Sequence, residues 1–327
     1  MKSRRAWRLM TIVTVVMAVA FAARHASAYV LHRSEAGAPY SWRMPTVSVT
    51  AYPRTLTQMT LEEGGAAITK SVAAWSNQDP ALASCSALDL VLTVAPESED
   101  APDAAYDNRN VIAVRTSNWE AICSTAPDGN LVCHQREELA LTTIVATTSG
   151  KIFDVDVDVE VNAWDYQWAD LDVTPASEAL QDLQNALTHE MGHFVGFDHT
   201  CFLDLSGFPV DPNGNIILPR NSAGEAIPAC PEASPAERAS TMFPSSEAGD
   251  TSKRTLEPDD QAGICATYPL EHGCGACASV PGSAPGPGET GRLIGQDALF
   301  AVALALLARR RRSRRRATSP VPDARIA

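Results

Sequence analysis

Three histidines and one glutamate lie within an eleven-residue segment near the middle of the chain. The segment, residues 189–199, reads HEMGHFVGFDH. His189 and His193 are four residues apart, so on a helix their imidazoles lie one turn apart on one face and can bind the same metal ion. Glu190 follows the first histidine directly and can take a proton from a metal-bound water as a general base. The pattern predicts a hydrolytic zinc site.

A third zinc ligand depends on Gly196, three residues after His193. Glycine readily adopts the left-handed conformation that ends a helix, so the chain can turn sharply there. That turn would bring His199 back to the metal. Three protein ligands leave the fourth zinc position for water, which is typical of a catalytic site. The alternative, that these are structural core histidines, is disfavoured because three of the chain's seven histidines share this segment.

The zinc motif requires a helix, and the surrounding sequence predicts one over residues 175–195. Thr174 is suited to cap this helix, and Pro175 is suited to its first turn. The apolar stripe of the predicted helix consists of Leu180, Leu183, Leu187, Met191 and Phe194. A second helix is expected within residues 61–76, where apolar residues recur at helical spacing.

Residues 152–162, IFDVDVDVEVN, predict a strand with two chemically different faces. Its valines point one way, and Asp154, Asp156, Asp158 and Glu160 point the other. Four carboxylates on one face repel each other. The sequence leaves two interpretations open, a solvated strand face and a calcium-linked site.

The remaining elements place strands mostly before the helices, which favours an α+β domain. Further strands are expected at Leu88–Val94, Asn110–Val114 and Leu139–Thr147. Residues 200–240 are rich in Gly, Pro, Asn and Ser and are predicted to form a long loop. A last short helix is expected over Asp259–Tyr268.

Both ends of the chain have the composition of targeting segments. Residues 1–28 combine a basic start, an apolar run and the sequence Ala26-Ser27-Ala28, which predicts a cleaved secretory signal peptide, with a membrane anchor as the alternative. Residues 271–292 are a Gly/Pro-rich linker that contains a short Cys motif. Residues 293–327 contain an apolar run followed at once by an arginine cluster, and this run is short for a transmembrane helix.

Charge and cysteine content both favour an exported protein. The formal net charge is −13, and the body between the two basic ends carries about −25. A body this acidic would be repelled by nucleic acid, so no nucleic-acid partner is expected. All eight cysteines follow the predicted signal peptide, which favours disulfides. Cys123–Cys133 and Cys201–Cys230 are plausible pairs, and Cys85 and Cys265 could pair by elimination.

The zinc motif resembles that of the metzincins, H-E-x-x-H-x-x-G-x-x-H followed by a Met-turn. Met242, within the sequence STMFP, fits that turn, where a methionine lies under the zinc site. Within the metzincins the chain is most similar to the matrixins, the matrix-metalloprotease family. The matching segments are DVDVEVN at 156–162, GFDHT at 196–200, LEPDDQAGICATY at 256–268 and the helix around residues 73–75.

This resemblance covers about residues 40–270 and implies both a fold and an activity. The implied fold is a zincin-like catalytic domain, residues 29–270, with a twisted, mainly parallel five-stranded sheet and three helices. The implied activity is that of a zinc metalloendopeptidase with one catalytic zinc, with Ca²⁺ as a further candidate ligand. We expect a monomer, exported to the cell surface or medium, that cleaves protein or peptide substrates through a zinc-bound water.

One departure from the matrixin pattern leaves alternatives open. Between His199 and Met242 lie 42 residues, a longer stretch than the matrixins have, so the wall of the specificity pocket cannot be assigned. The alternatives are an endopeptidase of another metzincin branch and a non-catalytic zinc-containing surface module. The C-terminal order of Cys motif, linker, apolar run and arginine cluster resembles the myxosortase-processed sorting tails. This resemblance implies processing near Cys274 or Cys277 and display on, or release from, the cell surface, and the alternative is a simple tail anchor. Membrane contact is expected only through this tail.

Overall fold

The structure is a computed structural model of the 327-residue chain. It describes residues 29–33, 37–105, 107–125, 131–147, 155–205, 208–211 and 213–270, and the backbone of two short strands at 299–302 and 324–325. The predicted signal peptide, the linker with its Cys motif and most of the sorting tail lie outside the described residues. Within the described residues, no helix is long and apolar enough to cross a membrane.

The fold is mixed α+β, as the sequence predicts. In chain order the strands are β1 (Val30–Leu31), β2 (Thr46–Tyr52), β3 (Asp89–Val94), β4 (Val111–Arg115), β5 (Cys123–Thr125), β6 (Leu131–Cys133), β7 (Ala140–Thr147), β8 (Val155–Asn162), β9 (Gln167–Ala169), β10 (Leu180–Asp182), β11 (Phe197–Asp198), β12 (Ser245–Ser246), β13 (Leu299–Val302) and β14 (Ala324–Arg325). The α-helices are α1 (Leu61–Ala74), α2 (Leu183–Phe194), α3 (Pro235–Ala239) and α4 (Pro258–Thr267).

A five-stranded, mostly parallel sheet forms the centre of the domain. Its strand order is β3-β2-β4-β8-β7, in which β7 alone runs antiparallel to its neighbour β8. Strand β13 pairs antiparallel with the other side of β7, and β14 pairs with β12. Helices α1 and α2 pack against each other, and α2 also contacts β7 and β8. The antiparallel strand therefore lies beside the helix that carries the histidine motif.

Strand β8 has the two faces that the sequence predicts, but its acidic face is not solvated. The valines at 157, 159 and 161 are fully buried in the main core. Asp156, Asp158 and Glu160 are at most 4% exposed, because residues 101–105 and 107–115 cover them and bind several of their oxygens, although Asp156 Oδ1 is buried without a hydrogen-bond partner in the described part of the chain. The partners are the backbone N–H groups of Ala105, Asp107, Asn108 and Val111 and the side chains of Arg115 and His134. The solvated-face interpretation is wrong, and the calcium interpretation stays a prediction.

The helix with the histidine motif is shorter than the sequence predicts. Helix α2 begins at Leu183 rather than near Pro175, because Leu180–Asp182 pairs as a parallel strand with β9. Asp182 is the N-cap, and its carboxylate accepts a hydrogen bond from the backbone N–H of Asn185. Arg254 donates to both oxygens of this carboxylate, so the start of α2 is fixed by a residue 72 positions further along the chain.

All three disulfides that the sequence suggests are present, and they fit an oxidising compartment. Cys123–Cys133 joins β5 to β6, and Cys85–Cys265 ties α4 to the loop before β3. Cys201–Cys230 closes the first part of the 200–240 segment. That segment is not wholly a loop, since it contains the five-residue helix α3, whose N-cap Ser234 forms a capping box with Glu237.

Candidate metal centre

The three predicted histidine ligands converge on one point. The Nε2 atom of His199 lies 3.2 Å from Nε2 of His189 and 3.1 Å from Nε2 of His193. His189 and His193 are one turn apart on α2, and His199 follows the turn that ends this helix. Within the described residues, these three form the one group of His, Cys, Asp and Glu side chains whose ligand atoms are arranged to hold a metal ion.

The hydrogen bonds of the imidazoles favour a cation between them. His189 Nδ1 donates to the carbonyl oxygen of Thr241 at 2.7 Å, and His193 Nδ1 donates to that of Phe197 at 2.8 Å. Each of these rings, when neutral, therefore presents a lone pair at Nε2. His199 Nε2 carries at most one proton, so at most one of the two short contacts is a hydrogen bond. A metal ion would satisfy all three nitrogens, because tetrahedral zinc–nitrogen bonds place ligand nitrogens about 3.3 Å apart.

Burial keeps these imidazoles in the form that binds metals. It lowers the pKa of His193 and lowers those of His189 and His199 well below the ordinary value. Desolvation disfavours the charged imidazolium, and each histidine also repels positive charge on its neighbours. The rings are therefore neutral near pH 7, and no proton must leave before a cation binds.

Gly196 provides the sharp turn that the sequence predicts. Its φ is +98°, in the left-handed region that favours glycine. The turn also packs tightly, because a Cβ atom at this position would lie 2.4 Å from the carbonyl oxygen of Tyr40. Both observations explain why the chain can reverse within three residues of His193 and present His199 to the same point.

Met242 lies directly beneath the helix that carries the ligands, as the sequence predicts. The methionine is fully buried, and a Cβ atom added to Gly192 would lie 2.1 Å from its Sδ. Asp260 holds the turn around Met242, since its carboxylate accepts hydrogen bonds from Ser240 Oγ and from the backbone N–H of Thr241, each at 3.0 Å. The carbonyl of Thr241 in turn orients His189.

Glu190 lies in the same buried region and has two unlike carboxylate oxygens. Oε2 accepts a hydrogen bond from Thr142 Oγ1 of strand β7 at 2.5 Å. Oε1 is buried and has no hydrogen-bond partner in the described part of the chain. Burial raises the pKa of Glu190 to about 8, against the opposing effect of the Thr142 hydroxyl. The protein therefore holds a proton-accepting group beside the histidines, with one oxygen anchored and the other available.

Lys253 is a buried cation near this site that sequence reasoning did not single out. Its Nζ donates to the carbonyl oxygens of Phe243 and Ser245, the residues that follow Met242. Burial lowers the pKa of Lys253 to about 7. The side chain fixes the path of the segment after Met242, which borders a cavity of about 450 Å³ lined by residues from Arg238 to Lys253.

The structure brings together every residue that the motif implicates: the three histidines, Glu190 and Met242. Sequence reasoning missed Thr142, because its partner Glu190 lies 48 positions away in the chain. It also missed Lys253, because no local pattern indicates that this lysine is buried and bonded to the carbonyl oxygens of Phe243 and Ser245. Asp260 lies within the family-like segment 256–268, but that resemblance assigned it no role. Compared with known proteins, the sequence matches no protein-family model, and no curated protein matches it.

Proposed function

We propose that this protein is an exported zinc-dependent endopeptidase of the metzincin type, with the matrixins as its nearest likeness. The observation that carries the proposal is the convergence of three neutral imidazoles beside a buried carboxylate with one unbonded oxygen. The antiparallel strand beside α2, the left-handed turn at Gly196 and the buried Met242 support the metzincin assignment.

The donor set favours zinc over harder cations. Three imidazole nitrogens without a carboxylate ligand suit zinc, whereas calcium and magnesium prefer oxygen ligands. When bound, a zinc ion would supply Lewis-acid chemistry, activating water and polarising the scissile carbonyl. His189, His193 and His199 would hold it, with Thr241 and Phe197 fixing two of the rings through their carbonyl oxygens.

Glu190 performs the proton transfers in this proposal. Its Oε1, which has no partner among the described residues, accepts a proton from the attacking water and then delivers it to the leaving amine. A carboxyl group whose pKa is raised toward neutrality suits both steps, since it can accept and release a proton near pH 7. The enclosed surroundings of the carboxylate limit competing contacts with solvent.

The test is hydrolysis of casein and of a peptide library by the purified protein, with and without a chelator. We expect cleavage that the chelator abolishes and zinc restores. Glu190→Gln should keep bound zinc, measured as metal per chain, and lose activity by about 10²–10⁴-fold, because the general base is removed. Wild-type protein that binds zinc and cleaves nothing would refute the peptidase proposal and favour the non-catalytic surface module.

A further inference from the structure

Thr142, on strand β7, donates a hydrogen bond to the Glu190 carboxylate. Its Oγ1 lies 2.5 Å from Glu190 Oε2 and 3.3 Å from the backbone carbonyl oxygen of the same residue. A hydroxyl group has one proton to donate. The contact with Oε2 is the shorter of the two, so the hydroxyl proton is directed at the side-chain oxygen rather than at the backbone carbonyl.

The register of the sheet places Thr142 on the face that meets the histidine helix. Thr142 pairs with Val159 of β8, and paired residues of antiparallel strands point to the same side. Val159 is fully buried in the main core, which is the side on which α2 packs. The next residue, Thr143, pairs with Asp158 and points to the opposite face. Strand β7 therefore directs Thr142 toward the site and Thr143 away from it.

The Thr142 hydrogen bond gives the two carboxylate oxygens of Glu190 different surroundings. Oε2 is held by the hydroxyl, and the remaining oxygen, Oε1, is buried without a hydrogen-bond partner among the described residues. Rotation of the carboxylate would exchange the two oxygens, and the hydrogen bond opposes that rotation.

We infer that Thr142 is a positioning residue that orients Glu190 for proton transfer. The inference rests on the proposed peptidase function and deepens it, since it assigns a role to strand β7 in the chemistry. It differs from a purely structural role, in which the hydroxyl would only tie β7 to α2. Loss of the hydrogen bond would lower stability under either role. A purely structural role would leave kcat of the zinc-loaded protein unchanged, whereas a positioning role lowers kcat while zinc stays bound.

The experiment compares three variants in the full chain loaded with zinc. Thr142→Val removes the hydroxyl and keeps the shape, Thr142→Ser keeps the hydroxyl, and Thr143→Val is the matched control on the other face of the strand. For Thr142→Val we expect kcat for a peptide substrate to fall by about 10- to 100-fold, the effect of losing a hydrogen bond to a charged group. KM and zinc per chain should match wild type, whereas the unfolding midpoint should fall because a buried hydrogen bond is lost. Thr142→Ser and Thr143→Val should keep kcat within about threefold of wild type, since each keeps the contact.

Crystal structures of the zinc-loaded variants give a readout that does not depend on turnover. The Glu190 carboxylate should occupy one orientation in wild type and Thr142→Ser and more than one in Thr142→Val. A single orientation in Thr142→Val, or a Thr142→Val kcat equal to wild type, would overturn the inference, as would equal losses in Thr142→Ser and Thr142→Val. If wild type binds zinc but cleaves nothing, the peptidase proposal fails, and the crystal structures still decide whether Thr142 orients Glu190.

Discussion

Gly192 lies between His189 and His193 on α2, and its lack of a side chain is required by the residues beneath it. A Cβ atom at this position would lie 2.1 Å from Met242 Sδ and 2.8 Å from Cζ2 of Trp75. Both neighbours are fully buried, and the indole of Trp75 is held by a 2.7 Å hydrogen bond to the carbonyl oxygen of Thr188. Gly192→Ala therefore forces either the methionine or the helix to move.

The expected cost follows from two opposing effects. Inserting one carbon into a packed core costs about 1–3 kcal/mol. Alanine in place of glycine within a helix returns about 0.5–1 kcal/mol. The net loss should be at most about 2.5 kcal/mol, with a middle value of about 1 kcal/mol. Each kcal/mol lowers the melting temperature of a domain of this size by about 2–4 °C. Displacement of α2 also moves His189 and His193, so zinc affinity should fall as well.

Calorimetry of the metal-free protein and a zinc competition titration measure these two effects separately. Gly65→Ala is the matched control, because Gly65 is also inside a helix and a Cβ atom there would meet nothing within 4 Å. This control should be slightly more stable than wild type, by about 0.5–1 kcal/mol. A Gly192→Ala protein as stable as Gly65→Ala, with wild-type zinc affinity, would show that the packing beneath the ligands is not tight and would refute the reasoning.

Two further predictions concern residues around the turn and the insertion. Burial lowers the pKa of Lys253 to about 7, from an ordinary 10.4 in the unfolded chain. Between these two pH values the unfolded chain binds more protons than the folded chain. The free energy of unfolding should therefore rise with pH across this window. Lys253→Met should flatten that rise, as urea unfolding at pH 7 and pH 9 would show. Replacing Cys201 and Cys230 by Ser should lower stability by about 3–4 kcal/mol, the value for a loop of this length; an unchanged urea midpoint would contradict it.

The sequence predicts those parts of the fold that depend on local pattern. The alternation of valine and acid residues predicts strand β8, and the spacing of His189 and His193 predicts a helix with both ligands on one face. The predicted start of that helix was wrong, because the local capping signals at Thr174 and Pro175 are overridden by contacts with distant parts of the chain. Pairing of Leu180–Asp182 with β9 and the contact with Arg254 decide the outcome, and neither is visible in local spacing.

The same distinction separates the predicted from the unpredicted parts of the site. The metal ligands lie within eleven residues of sequence, so a motif can find them. The contact between Thr142 and Glu190 joins residues 48 positions apart, and only the pairing register of β7 with β8 turns Thr142 toward the helix. The burial of Asp156 and Asp158 likewise depends on a covering segment some 50 residues earlier in the chain.

The 42-residue separation between His199 and Met242 does not displace the turn, because the inserted chain is closed at its base. The backbone N–H of Thr200 donates to the carbonyl oxygen of Met242 at 3.2 Å, so the two ends of the insertion meet directly beside the last ligand. Thr200 Oγ1 also donates to the carbonyl oxygen of Glu237. The Cys201–Cys230 disulfide begins one residue later and holds the first part of the loop. Length added beyond such a closure costs little in chain entropy and leaves the geometry at its ends unchanged. The insertion can therefore vary the surface beside the metal centre while His199 and Met242 keep their positions.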